Sequence, residues 1–125
     1  MTIEKEQMLT VLDWGLLVVI NPRVITDNTN LIDRIEYLIN ECKKIDKYKM
    51  LVDASKSERN ISISKMFSAA KVLQKLGHYA MKIAIVGAHL VDSEDSKFMV
   101  TTAKNRGFEI DYFRSREDAL NWIVK

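Results

Sequence analysis

Lys49-Met50-Leu51-Val52-Asp53-Ala54-Ser55 decides the reading of this chain. Lys49 to Val52 is a short apolar run bounded by polar residues, the pattern of a strand buried on both faces. Lys82 to Val86 repeats it and closes on Gly87. Between the two, Met66, Ala69, Ala70, Leu73 and Leu76 keep a helical period, with Gly77 placed as a C-terminal cap. Strand, helix and strand in this order predict two parallel core strands joined by a crossover. In open sheets of this kind sites form beyond the carboxyl ends of the strands, which draws attention to Asp53 and the serine-rich segment after it.

Upstream, Met8 to Leu12 and Leu16 to Ile20 are apolar runs separated by Asp13-Trp14-Gly15, predicting an antiparallel hairpin with a left-handed glycine as third turn residue. Pro22 ends the second strand, and Thr26 to Asn30 reads as a loop and helix cap. Leu31, Ile35, Leu38 and Cys42 then form the apolar stripe of a helix, with Asp33, Arg34, Asn40, Lys43 and Lys44 outside it. That spacing predicts a buried Cys42.

Downstream, Asp92 to Asp95 reads as the start of a helix with Phe98, Thr102 and Ala103 on one face and Gly107 beyond its end. Glu109 to Phe113 alternates as a less buried strand. Ser115 to Asp118 resembles a capping signal ahead of Ala119, Leu120 and Ile123. The predicted fold class is α/β, a mixed sheet of four to five strands with an N-terminal antiparallel hairpin and alternating helices. The polar connection Ala54 to Asn60 is expected to be the most mobile segment.

Composition narrows the function classes. A chain of 125 residues with 47% hydrophobic residues is the size of one domain, so 1–125 is read as one folding unit. The single Cys42 cannot form an internal disulfide, which favours the cytoplasm. The start is charged, and Leu16 to Ile20 is far shorter than the ~20 residues of a membrane helix, so no membrane span is expected. With 19 basic and 17 acidic residues the net charge is +2, too balanced to drive phosphate-backbone binding, and no nucleic-acid partner is expected.

Catalytic signals are weak. His78 and His89 read as loop histidines without a nucleophile motif, and no cluster has metal-ligand spacing. Gly15, Gly77, Gly87 and Gly107 are isolated, so no phosphate-cradling loop exists. No enzyme activity, cofactor or metal is expected.

The serine segment survives this filter. Asp53 can hold a turn by accepting amide hydrogen bonds, and Ser62 or Ser64 can cap a helix. Phosphorylation at such a helix start would add charge where the dipole favours it. Lys56, Arg59 and Lys65 make the surroundings basic. Asp53, Ser55, Arg59, Ser62, Ser64 and Lys65 are therefore the candidate surface for a protein partner.

The hairpin Met8 to Ile20, the strand end Leu51 to Ser55, the helix start Ser62-Ile63-Ser64 and the closing run Asn105 to Ile123 together resemble the STAS superfamily, in particular its SpoIIAA-like branch. The closing run is the most specific part. The resemblance implies a non-enzymatic domain similar to anti-sigma-factor antagonists, in which a partner kinase phosphorylates a serine within Asp-Ser-Ser-Gly. Ser62-Ile63-Ser64-Lys65 stands at that place, without the aspartate and the glycine, and Ser64 best matches the modified serine. The branch also resembles Sec14-type lipid-binding domains in outline, which implies the alternative of a small carrier for an apolar or anionic molecule, its pocket lined by Met66, Ala70 or Phe98. The sequence leaves a homodimer open.

Overall fold

The computed structural model describes residues 7–20, 25–26, 31–55, 58–59, 71, 81–105 and 107–125. In chain order these form β1 (Gln7–Leu12), β2 (Gly15–Ile20), β3 (Ile25–Thr26), α1 (Leu31–Ile45), β4 (Lys49–Asp53), β5 (Glu58–Arg59), β6 (Lys82–Val86), α2 (Ala88–Val91), α3 (Glu94–Asn105), β7 (Glu109–Phe113) and α4 (Arg116–Ile123). Of the helix expected from Met66 to Leu76, Lys71 is described and is helical; its other residues, the cap Gly77 and His78 lie outside the described residues.

Five strands make one sheet in the order β1-β2-β4-β6-β7, with β1 antiparallel to β2 and every later neighbour parallel. This is the mixed sheet the apolar runs predict. The hairpin differs in detail: Leu12 pairs with Gly15, so the turn is the two residues Asp13-Trp14 and Gly15 opens β2. A side chain at Gly15 would meet the carbonyl oxygen of Lys49 at 2.2 Å, so what the glycine provides is close approach of β4 rather than a third turn residue.

Register sorts side chains onto two faces, because successive residues of a strand point to opposite sides. Leu16, Met50, Ile83 and Ile110 align across one face, and Leu17, Leu51, Ala84 and Asp111 across the other. The first face holds the larger core, where Val18, Met50 and Tyr112 pack with Leu38, Ile39 and Cys42 of α1 and with Met99 and Ala103 of α3. The second holds Leu51, Ala84 and Val86 beneath Ala119 and Ile123 of α4, with Trp14, Leu17, Phe113 and Trp122 around them. Lys82 Nζ donates to the Trp122 carbonyl at 2.7 Å and lies 4.5 Å from the centre of the Trp122 ring, tying the end of α4 to the start of β6.

Among the described residues, the long helices α1 and α3 are each followed by a left-handed residue. Asp46 (φ 54°) follows α1, where its amide donates to Lys43 and that of Lys47 to Cys42. Gly107 (φ 89°) follows α3, its amide donating to Lys104 and that of Phe108 to Ala103. These paired bonds satisfy carbonyls that a helix end leaves open.

Three further expectations are corrected. Thr26 belongs to β3 and Glu58–Arg59 to β5, which pair in parallel as a second, two-stranded sheet, so the connection after Ala54 contains ordered ladder rather than loop alone. Two-residue strands are too short to leave a period in the sequence. His89 lies in the single helical turn α2 instead of a loop. Phe98 is exposed, whereas Thr102 and Ala103 are buried as expected, and Ser96 and Met99 complete the inward face of α3 in its place. Its start is capped by Ser93, whose Oγ accepts from the Ser96 amide at 3.4 Å, while Asp92 ends α2. On α4, Ala119 and Ile123 face inward and Leu120 is 41% exposed.

Candidate functional site

Asp53 is the last residue of β4, and the neighbouring strands end beside it. The Ala54 amide donates to Val86 at 2.9 Å and the Gly87 amide to Phe113 at 2.8 Å, which aligns the carboxyl ends of β4, β6 and β7. Asp53 pairs with Val19 and Val86, so its side chain falls on the α4 face.

There its carboxylate is fully engaged. Oδ1 accepts from the Ser55 amide at 3.0 Å and from Ser55 Oγ at 2.6 Å, while Oδ2 accepts from Arg116 Nε at 2.6 Å. The first two bonds close a turn that carries the chain off the sheet. The third joins that turn to α4. Ser115 caps this helix by accepting from the Asp118 amide at 3.2 Å, which fixes where Arg116 emerges. The Asp53 side chain is 12% exposed and that of Arg116 52%, so the buried acid is matched by a base that also faces solvent. Beside them Arg114 and Asp92 form an open surface pair at 2.7 Å.

Burial alone would raise the Asp53 pKa, but the hydrogen bonds from Ser55 and Arg116 and the charge of Arg116 outweigh it, and the carboxyl titrates below its ordinary value. A depressed folded-state pKa contributes stability above the unfolded value, and that contribution is lost as pH falls through the folded value. Asp53→Asn is therefore expected to flatten the acid limb of the stability curve, starting at the ordinary aspartate range and extending below it. Urea melts across that window check this, and parallel wild-type and variant curves would refute it.

Of the sequence-predicted residues, the structure brings Asp53 and Ser55 together. Arg59 lies on β5, its backbone paired with Thr26. Ser62, Ser64 and Lys65 lie outside the described residues. Arg116 is the participant that sequence reasoning missed. It stands 63 residues from Asp53, and its one visible signal was membership of the capping run Ser115-Arg116-Glu117-Asp118.

Nucleophile chemistry gains nothing from Cys42, which is fully buried, with burial and the nearby Glu41 pushing its thiol up to about 11. Among the described residues no group of three or more His, Cys, Asp or Glu could hold a metal ion, and no helix is long and apolar enough to cross a membrane.

A family model described as SpoIIAA-like matches residues 24–124. The chain belongs to the SpoIIAA-like family. The match takes in β4 with Asp53 and α4 with Arg116, and begins after the hairpin of β1 and β2. A solved structure of an uncharacterized protein from Shewanella loihica PV-4, described as having a SpoIIAA-like fold, is similar over 94% of this chain and 91% of its own, with a TM-score of 0.51 and 16% identity. That likeness concerns the fold. No curated protein matches the chain.

Proposed function

We propose that this SpoIIAA-like chain is a single cytoplasmic domain that performs no chemistry of its own and regulates a protein partner by binding it through the strand–helix junction 53–65. The observation that supports this reading most is the double anchoring of Asp53. Ser55 and Arg116 hold one carboxylate from two directions, so the chain leaves the sheet in a fixed pose. A fixed exit lowers the ordering cost of binding a partner there. Ser55 is exposed at the start of the junction, and phosphorylation of Ser64 further along it would add negative charge for a partner to meet.

The test takes the partner captured with the full chain from its source organism and identified by mass spectrometry. Ser64→Asp and Arg59→Glu are each expected to weaken its affinity about tenfold or more, because each adds negative charge to the contact surface. Circular dichroism first establishes that both variants fold. Wild-type affinity in both would move the interface elsewhere and favour the carrier of small apolar molecules.

A further inference from the structure

The helices are tied to the sheet in different ways. α1 lies on the path from β2 to β4 and α3 between β6 and β7, so neither can leave its face without drawing on two strands of the sheet. Among the described residues α4 is joined to the sheet through β7, by way of Arg114 and Ser115. Lifting it breaks no ladder, because β1-β2, β2-β4, β4-β6 and β6-β7 all pair strand with strand.

The apolar contacts divide along the same line. α1 and α3 share the larger core, whereas α4 packs in the smaller one, where Ala119 and Ile123 are the residues it buries completely. An undocked α4 would uncover Leu51, Ala84 and Val86 and leave the opposite face closed. Elements with few buried apolar contacts open at lower free energy than the whole fold. Two polar ties hold α4 at its ends: Arg116 donates to Asp53 at the start, and the Trp122 carbonyl accepts from Lys82 at the finish. The first tie is shared with the turn, since the carboxylate that accepts from Arg116 is the one that accepts from Ser55.

We infer that α4 is a latch: it undocks from the sheet as a unit while the five strands stay paired, and its undocking releases the Asp53–Ser55 turn at the start of the junction 53–65. The link runs through one side chain. With α4 docked, Arg116 Nε holds Asp53 Oδ2, and Oδ1 of the same largely buried carboxylate stays on the Ser55 amide and hydroxyl. With α4 lifted, Oδ2 loses that donor, and water competes both for the carboxylate and for the Ser55 amide. The latch acts on the junction that the proposed function takes as the partner surface and rests on that reading for its use, but it is measured without a partner.

Amide hydrogen exchange of the full chain, resolved residue by residue with NMR, tests it. Exchange through a local opening responds only to changes in contacts which that opening breaks, whereas exchange through global unfolding responds to every destabilisation. Leu38→Ala, in the opposite core, is expected to speed exchange at Ala84 and Ile85 of β6 about tenfold or more and to leave the amides of residues 120–124 at their wild-type rates. Ile123→Val, a small truncation two turns from the Asp53 contact, is expected to speed the α4 amides and the Ser55 amide together by about threefold, and Arg116→Gln to do the same. If Leu38→Ala sped the α4 amides as much as those of β6, α4 would open only with the whole fold and the latch would be rejected. A Ser55 amide that kept its rate while α4 responded to Ile123→Val and Arg116→Gln would reject the hold on the junction. The expected exchange pattern together with wild-type partner affinity in Ser64→Asp and Arg59→Glu would uphold the latch and reject the junction as the partner surface.

Discussion

Gly15→Ala is expected to be among the most damaging single substitutions in this chain, lowering stability by about 3 kcal/mol. The added Cβ would sit 2.2 Å from the Lys49 carbonyl oxygen and 3.0 Å from its carbon. Those are backbone atoms of β4, which cannot rotate aside as a side chain would. The contact is relieved only by separating β2 from β4, the pairing that joins the hairpin to the parallel strands. The backbone at Gly15 (φ 158°) adds to the cost for any residue with a side chain. Urea unfolding at equilibrium measures the loss. A change under about 0.5 kcal/mol, the usual surface range, would mean that the strand shifts freely and that the close approach is unimportant.

Leu38→Ala should cost on the order of 2–5 kcal/mol, the range for large-to-small changes in packed cores. Leu38 is 7% exposed and lies beside Ile39 and Cys42 on the inward face of α1, against the β2 side of the sheet. Leu120→Ala removes the same atoms from a surface position and is expected to stay within about 0.5 kcal/mol. Paired denaturation curves decide between a stripe that carries the core and one that merely decorates a helix. Equal effects from the two leucines would refute the assignment of α1's buried face.

The regular elements were legible because each carries a period. Alternating or continuous apolar runs marked β1, β2, β4, β6 and β7, and the spacing of Leu38 and Cys42 marked α1. The misreadings occurred where a period is short or shared. Thr26 and Arg59 belong to strands of two residues, which leave no pattern. Ala88–Val91 is a single turn, so His89 read as loop. On α3, Phe98 and Met99 are adjacent and both hydrophobic, and size favoured the one that faces outward.

The candidate site was half legible. Asp53 and Ser55 are neighbours in sequence, and a turn closed by an aspartate is a local device. The Arg116 contact is set by strand order and by the face on which α4 returns, neither of which a local pattern encodes. A basic residue inside a capping run, following a strand of a parallel sheet, was the signal available.

The Asp53–Arg116 pair also has a meaning in time. A ribosome delivers Asp53 first, and another 62 residues separate it from the arginine that completes it. Chains emerge at about 5–20 residues per second, so for several seconds the acid waits without its base. During that interval β4 can find β2, but β6 and β7 must be made and aligned before α4 can turn back over them. The finished site is therefore a report on the whole sheet. The turn at Asp53 and Ser55 acquires its Arg116 anchor only on chains whose last helix has docked, and a half-made or half-unfolded chain presents the same residues without it.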